Sequence, residues 1–236
     1  MEGIILKFLK SLTLFEKFLW LFSSAIIVGS AILYNSNDLT TTCTSLLGVT
    51  ALIFIAKGHY VGQVLTIIFS VLYGVVSIKE HYYGEAITYL CMTAPTALFT
   101  LISWIRHPYK DSDTVEVSSI TPAKIAAICI STAIVTTAFY FILKAIGNAM
   151  LFVSTLSIVT SFAAASLMFF RSPYYAAAYA LNDIVLIILW TAASFSSVSN
   201  VPMAACFGMF FLNDIYGFYN WQKMKSEQNK KNISEN

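Results

Sequence analysis

The sequence predicts an all-α integral membrane protein with about eight transmembrane helices. Of its 236 residues, 58% are hydrophobic and only 11% are charged, whereas a soluble domain carries roughly 25% charged residues. Apolar runs of about 20 residues, the length that crosses a hydrocarbon core, recur along the chain. The basic residues are distributed very unevenly between the connections of these runs. Together these observations exclude a soluble protein and indicate a multi-pass one.

Eight runs are candidates for spanning helices, and mostly short polar connections separate them. They lie at about 14–34, 39–56, 60–78, 85–105, 122–143, 148–170, 174–194 and 201–222. The first run is longer than the apolar region of a signal peptide, and no convincing cleavage site follows it, so we interpret it as a retained helix. Pro95 is expected to kink the fourth helix. The polar residues at 224–236 are expected to form a frayed tail.

An orientation with both termini in the cytoplasm places nearly all basic residues on the inner face. Only Lys79 and Lys144 of the 14 lysines and arginines then face outward. The inner set is Lys7, Lys10, Lys17, Lys57, Arg106, Lys110, Lys124, Arg171, Lys223, Lys225, Lys230 and Lys231. This is the positive-inside pattern, and the loss of one predicted helix would destroy it. The sequence therefore predicts eight spans with cytoplasmic termini.

Two segments, 45–106 and 155–223, share one layout. In each, a helix ends at a basic residue, a tight turn leads to an aromatic start, and the third helix ends in "SWIR" or "NWQK". A single linker helix between them gives both copies the same orientation, a parallel 3+1+3 repeat. The tryptophans of the two endings, Trp104 and Trp221, are interpreted as interfacial anchors.

The repeat divides the chain into five parts. They are an N-terminal segment with an extra helix (1–38), a first three-helix bundle (39–106), a cytoplasmic loop and linker helix (107–147), a second three-helix bundle (148–223) and a polar cytoplasmic tail (224–236). Transporters built from such repeats bind substrate near the midplane, between the halves. We therefore look for polar residues at that depth.

An amide and a carboxylate, Asn182 and Asp183, lie in the middle of the seventh run. At 100° per residue, Tyr175, Tyr179, Asn182 and Trp190 share one helix face, with Asp183 at its edge. An ionisable group at membrane depth is costly unless it faces a cavity or a partner. We therefore predict a buried polar binding site here. Pairing of Asp183 with another helix purely for assembly is the alternative.

The last helix has two candidate faces, of which only one can line a pocket. One face carries Phe207, Phe211, Asp214, Phe218 and Trp221, and the other carries Asn213, Tyr216 and Asn220. The aromatic face with Asp214 suits a flat cation, whereas the amide face suits hydroxyl and carboxamide groups. The third run adds Gln63 and Tyr73 to the candidates.

Three segments, "YGVVSIKEHYYGEA" (73–86), "LNDIVLIILW" (181–190) and "IYGFYNW" (215–221), resemble the PnuC family of bacterial vitamin transporters. The resemblance spans roughly residues 39–223. It implies a SWEET-like fold, a homotrimer in the bacterial inner membrane, and uptake of nicotinamide riboside by facilitated diffusion. The chain departs from the family at two places. Tyr175 and Ala178 stand where a WxxW pair is usual, and the first half ends in "LISW" where many members carry "YGWYxW".

Nicotinamide riboside joins a flat cationic ring and a carboxamide to a neutral ribose. The residues predicted to bind it are Asn182, Asp183, Tyr175, Tyr179, Trp190, Gln63, Tyr73, Phe211, Asn213 and Asp214. We expect alternating access, in which the two bundles rock about this site. The alternatives are another flat cationic vitamin such as thiamine, a small sugar, and a membrane sensor or membrane enzyme that transports nothing.

The expected partners are the small-molecule substrate, membrane lipid and further copies of the chain. The sequence contains no P-loop, no nucleophile motif and no Cys or His pair with metal-ligand spacing. We therefore expect no enzyme activity, no cofactor, no metal and no nucleic-acid partner.

Overall fold

The computed structural model describes residues 10–34, 39–79, 82–110, 112–148 and 150–234, most of them as helix. Within these ranges, eight helices are long and apolar enough to cross a membrane. They are α1 (Leu14–Leu33), α2 (Leu39–Ala56), α3 (Val61–Lys79), α4 (Tyr83–Arg106), α5 (Pro122–Ala145), α6 (Leu151–Phe169), α7 (Tyr175–Ser194) and α8 (Val201–Ser234). The prediction of eight helices of spanning length is confirmed. Lys7 and the connections at 35–38 and 80–81 lie outside the described residues.

The helix α8 extends well beyond its predicted end, and the expectation of a frayed tail is wrong for the residues described. The helix runs to Ser234, and Gln228 ties its last turns to the loop at 107–121. The Gln228 Nε2 donates to the carbonyl of Val115 (3.1 Å), and its Oε1 accepts from the N–H of Val117 (2.8 Å). The 34 residues of α8 measure about 51 Å at 1.5 Å per residue. Its last turns therefore project past a hydrocarbon core of about 30 Å.

The helix α4 changes type near its middle, where Tyr89–Thr93 form a π-helical turn. The N–H of Ala94 bonds to the carbonyl of Tyr89, five residues back. Pro95 follows directly, and because it has no N–H it removes the next ordinary donor of the helix. The hydroxyl of Thr96 also donates to carbonyls of this turn, those of Met92 (2.9 Å) and Thr93 (3.0 Å). Such π turns are frequent at functional sites.

Two tryptophans hold the helix ends at one end of the bundle, which we call the basic end because Lys57, Arg106, Arg171 and Lys223 lie there. The end with Lys79 and Lys144 is the opposite end. Trp221 Nε1 donates to the carbonyl of Ile55 in α2 (2.9 Å), and Trp104 Nε1 donates to that of Met168 in α6 (3.2 Å). Both tryptophans are buried, so their interpretation as interfacial anchors is wrong. They instead donate to carbonyls at helix ends, each of which also accepts a backbone N–H, from Gly58 and from Arg171, and so has a second lone pair to offer.

The residue before each tryptophan makes a matching hydrogen bond. Asn220 Nδ2 donates to the carbonyl of Ala56 (2.8 Å), and Ser103 Oγ donates to that of Phe169 (3.0 Å). Ala56 and Phe169 are the last residues of α2 and α6. The same pair of bonds therefore occurs twice, once from α8 to α2 and once from α4 to α6.

The turns after α2 and α6 are also alike. Gly58 (φ 68°) and Arg171 (φ 59°) both adopt the left-handed conformation that ends many helices. The loop at 107–121 binds both turns, because Val115 donates its N–H to the carbonyl of Gly58 and Ser118 donates to that of Arg171, each at 2.9 Å. This loop therefore connects the two halves at the basic end.

The helix α1 packs against α2 and α8, and one buried carboxylate fixes it there. Glu16 accepts hydrogen bonds from Lys57 Nζ (3.1 Å), Tyr216 Oη (2.7 Å) and the N–H of Thr13 (2.6 Å). The Thr13 hydroxyl accepts from the N–H of Glu16 in return (3.2 Å), which completes a capping box. The first turn of α1 is thus bonded to both of its neighbours.

Replacement of Glu16 by alanine is expected to lower the free energy of unfolding by about 3 kcal/mol, because Lys57 and Tyr216 both lose their acceptor. Thermal unfolding of the purified protein in detergent measures the change. The control is Glu227→Ala, since the ion pair of Glu227 with Lys223 is exposed and 3.9 Å long and contributes little. Equal unfolding temperatures for the two variants would contradict the role of Glu16.

Candidate functional site

A small cavity lies in the middle of the bundle, where α2, α3, α4, α6, α7 and α8 meet. Its volume is about 80 Å³. The groups that distinguish its lining are two amides, two carboxyl groups and two phenols: Gln63, Asn182, Asp183, Asp214, Tyr89 and Tyr179. Among the described residues that line it, none is lysine, arginine or histidine. The cavity is therefore polar, aromatic and suited to a ligand that is not anionic.

The amide of Asn182 is held by α6. Its Oδ1 accepts hydrogen bonds from the hydroxyls of Thr160 (2.8 Å) and Ser157 (3.4 Å). These bonds orient the amide oxygen toward α6, and the amide nitrogen therefore points away from that helix. On the other side of the cavity, Gln63 Nε2 lies 2.8 Å from the sulfur of Met168. Two amides from different helices thus face one small space.

The carboxyl groups of Asp183 on α7 and Asp214 on α8 lie close enough to hydrogen-bond to each other. Both side chains are buried, and Asp183 Oδ2 has no hydrogen-bond partner among the described residues. Because an ionised carboxylate only accepts hydrogen bonds, a bond between the two groups requires a shared proton. A pair that holds a single proton carries one negative charge, which a cation in the cavity can neutralise.

An aromatic cluster separates the cavity from the opposite end. Trp190 Nε1 donates to the hydroxyl of Tyr73 (2.7 Å), and both side chains are fully buried. The Tyr73 ring lies 4.1 Å from that of Tyr89 and 5.8 Å from that of Phe207, and these two rings line the cavity. Tyr73 and Trp190, both predicted to contact substrate, therefore lie behind the cavity wall in this conformation.

Tyr175 lies on the other side of the cavity, toward the basic end. Its ring packs 4.8 Å from that of Trp221, and its buried hydroxyl has no hydrogen-bond partner in the described part of the chain. It is not among the residues that line the cavity. The face of α7 that the sequence predicts is therefore longer than the cavity, and both of its ends contact other parts of the bundle.

The face of α8 that carries Asp214 lines the cavity, and Phe207 and Phe210 line it too. The amide face packs on α1 instead, where Asn213 Nδ2 donates to the hydroxyl of Ser23 (3.1 Å). Phe211, which was predicted as a contact, is absent from the lining. The predicted residues that do line the cavity are Gln63, Tyr179, Asn182, Asp183 and Asp214.

Some lining residues were absent from the predicted set, chiefly Phe69 and Phe210. Their signal in the sequence is weak, because phenylalanines at helical spacing are usual in any packed bundle. Phe210 and Phe211 differ by 100° of helix rotation, and only the positions of neighbouring helices decide which of them faces the cavity.

A larger cavity, of about 1270 Å³, lies between α1, α8 and the loop at 107–121. Its walls include Phe15, Phe18, Ile215 and Tyr219, all of which are at least half exposed on the outside of the bundle. In a membrane this surface faces lipid. We therefore place the site for a polar solute in the central cavity.

Membrane-spanning helices around a buried polar cavity are the architecture of a solute transporter. Comparison with known proteins identifies the family. The family model described as nicotinamide mononucleotide transporter matches residues 38–223, and the chain belongs to this family. The match includes α2 to α7 and most of α8.

Two similar proteins support the same assignment. The nicotinamide riboside transporter PnuC of Neisseria mucosa is 22% identical over 210 residues, which are 87% of this chain and 80% of that protein. The crystal structure of the vitamin B3 transporter PnuC aligns with a TM-score of 0.80 and 22% identity, over 92% of this chain and 94% of that one. The second comparison shows that the folds are the same.

Gly48 on α2 lines the cavity at a point where a side chain has no room. A Cβ there would overlap the ring of Phe210 and lie 2.9 Å from that of Phe69. We expect Gly48→Ala to push Phe210 into the cavity and to weaken binding of the solute about tenfold, the scale of moderate overpacking. Calorimetric titration of the purified variant measures the affinity.

The matched control is Gly208→Ala on α8, where an added Cβ has nothing within 4 Å. This variant is expected to bind like the unaltered protein. An unchanged affinity in a correctly folded Gly48→Ala protein would place the binding site elsewhere.

Proposed function

We propose that this protein carries nicotinamide riboside across the membrane and binds it in the central cavity. The observation that carries the proposal is the pair Asp183 and Asp214, buried beside Asn182 in a cavity with no basic side chain among its described lining residues. The pyridinium ring of the riboside is a permanent cation, which carboxylates and aromatic faces stabilise. The amides of Asn182 and Gln63 suit its carboxamide and ribose hydroxyls.

The charge of the cavity favours the riboside over the mononucleotide of the family description. The mononucleotide adds a phosphate with a charge of about −1.5 to −2 at neutral pH. That phosphate would enter a cavity that already holds two carboxyl groups and offers no lysine or arginine among its described residues. The burial of unpaired like charges costs several kcal/mol. The geometry therefore supports the riboside, the compound in the name of the Neisseria protein.

The cavity has aromatic walls although the WxxW pair is absent. Tyr175, which occupies one of the two positions, lies outside the lining, toward the basic end. The aromatic residues that line the cavity include Phe69, Tyr89, Phe207 and Phe210. A small neutral sugar can donate hydroxyl hydrogen bonds to the two carboxyl groups, but it brings no positive charge to offset theirs. Thiamine is also a flat cation and is the strongest alternative, since the same pair suits it.

The transport mechanism we propose is alternating access between the bundles at 39–106 and 148–223. The cavity, at about 80 Å³, is smaller than the roughly 300 Å³ at which ligand pockets begin. The substrate must therefore widen it, and release requires one end to open. Three helices from each proposed bundle line the cavity, so a relative movement of the bundles changes its size directly.

The parallel 3+1+3, SWEET-like arrangement is part of this proposal. The paired bonds of Trp104 with Met168 and of Trp221 with Ile55 support it, because a pseudo-two-fold axis along the membrane normal produces such reciprocal contacts. α5, the proposed linker, packs mainly on α6, which agrees with a connecting role. The π turn of α4 is a natural point of bending.

We also propose facilitated diffusion by a homotrimer in the inner membrane, with both termini in the cytoplasm. The uneven distribution of lysine and arginine supports the orientation, and the resemblance to the PnuC family supports the remainder. The exposed side chains Ile130, Ile134 and Phe141 of α5 offer an apolar face for contacts between copies or with lipid.

Titration of the purified protein with nicotinamide riboside, its mononucleotide and thiamine tests the proposal. We expect the riboside to bind, and the mononucleotide to bind at least 100-fold more weakly because of its phosphate. Asp183→Asn is expected to weaken riboside binding about tenfold. Asp113→Asn, in the exposed loop, is the control and should leave the affinity unchanged.

Other outcomes separate the alternatives. Binding of thiamine alone would retain the cavity and exclude our substrate, and tight binding of the mononucleotide would contradict the charge argument. In proteoliposomes, facilitated diffusion predicts that the internal riboside concentration rises only to the external one. Accumulation above that level under a proton gradient would contradict this part of the proposal.

A further inference from the structure

A third buried carboxyl group lies outside the cavity, near the opposite end. Glu85, in the first turn of α4, is 2% exposed, and its Oε2 has no hydrogen-bond partner among the described residues. No lysine, arginine or histidine of the described chain forms an ion pair with it. A buried polar group without a partner costs about 1–3 kcal/mol, and more if it is charged. Such a group requires an explanation.

A group of aromatic rings lies near the position of Glu85. Glu85 lies one turn of α4 before Tyr89, and the ring of Tyr89 lies 4.1 Å from that of Tyr73. The Tyr73 hydroxyl accepts the bond from Trp190, and the ring of Tyr82 lies 5.0 Å from that of Trp190. Glu85 therefore lies beside the aromatic cluster that separates the cavity from the opposite end.

Glu85 and the cavity lie along one face of α4. Tyr89 is one turn further along the helix than Glu85, and residues four apart are neighbours on a helix surface. Tyr89 and, beyond it, Thr93 line the cavity. A solute that enters from the opposite end therefore passes the carboxyl group of Glu85 first, then the aromatic rings, and then reaches Asp183 and Asp214.

A second buried polar atom at this end also lacks a partner. Ser77 Oγ, one turn of α3 beyond Tyr73, is fully buried and makes no hydrogen bond to any residue that the structure describes. Its backbone carbonyl accepts from the N–H of Tyr82 (2.7 Å), which places Ser77 beside the same cluster. Two unsatisfied polar groups thus lie together with three aromatic side chains in a region where the described structure shows no cavity.

We propose that Glu85 and the rings of Tyr73, Tyr82 and Trp190 form an outer binding site for the cationic ring of the substrate. This inference rests on the proposed function and adds a second site to it. A carboxylate beside aromatic faces is the chemistry that recognises a planar organic cation. The cation supplies the missing partner of Glu85 when the opposite end opens, and Ser77 offers a hydroxyl to the ribose or carboxamide.

The outer site serves entry and selection. In the closed conformation, the hydrogen bond between Trp190 and Tyr73 keeps the outer site closed to the solute. When this bond breaks, a cation is held between carboxylate and rings before it reaches the cavity, whereas an anion is repelled by Glu85. The site therefore lowers the substrate concentration needed for half-maximal entry and has little effect on the affinity of the cavity itself.

The test is Glu85→Gln, which retains the shape of the side chain and removes its charge. Initial uptake into proteoliposomes is measured against concentration for nicotinamide riboside and for its reduced dihydro form, which has nearly the same shape and no ring charge. We expect the KM for the cationic riboside to rise about tenfold. The KM for the reduced form and the equilibrium affinity for the riboside are expected to change less than about twofold.

Two further variants support this test. Asp113→Asn removes one negative charge from the exposed loop at the basic end and is expected to change neither KM. Tyr82→Leu removes a half-buried ring of the outer site and retains an apolar side chain, so it is expected to raise the KM for the cationic riboside as Glu85→Gln does. It provides a second measurement if Glu85→Gln yields little folded protein.

An unchanged KM in both Glu85→Gln and Tyr82→Leu would overturn the outer site. An equal rise in KM for the cationic and the neutral compound would also overturn it, because that result assigns Glu85 a purely structural role. Failure of the proposed function has a different signature. The unaltered protein would then transport neither compound, and that result would also exclude the outer site for this substrate.

Discussion

The indole groups of Trp104 and Trp221 bond to the ends of α6 and α2, and the rest of the structure depends on these contacts. Each half of the bundle supplies an indole donor to a helix end of the other. The two carbonyls also accept a backbone N–H, from Gly58 and from Arg171, so each indole occupies the second lone pair of an oxygen. The bonds join α8 to α2 and α4 to α6 at the basic end, and so connect the two halves there. At the opposite end, the bond of Trp190 with Tyr73 closes the same space.

Most of the fold could be predicted from the sequence, because apolar runs of spanning length lead directly to helices. The errors lie where a contact between distant residues decides the outcome. The tail after residue 224 looks disordered by composition, yet Gln228 bonds to Val115 and Val117 and keeps it helical. Trp104 and Trp221 resemble interfacial anchors because each precedes a basic residue. Only the packed structure shows their indole N–H groups inside the bundle.

The candidate site was predictable in part, for a related reason. Helical periodicity correctly placed Asn182 and Asp183 on the face of α7 that meets the cavity. Periodicity does not give depth, and Tyr175 and Trp190 share that face yet lie beyond the cavity at either end. The pairing of Asp183 with Asp214 depends on how α7 packs on α8, which no local pattern encodes. The proposed preference for a cation rests on this pairing, which links the fold to the proposed substrate.

A structure of the protein with nicotinamide riboside bound is the most direct measurement of where the substrate lies. We predict the pyridinium ring in the central cavity, against the carboxyl groups of Asp183 and Asp214, with the amide of Asn182 bonded to the ligand. We also predict a cavity larger than the present volume of about 80 Å³, because the helices must separate to admit the ribose. A ligand in the larger cavity between α1, α8 and the loop at 107–121, or one that contacts neither aspartate, would contradict this assignment.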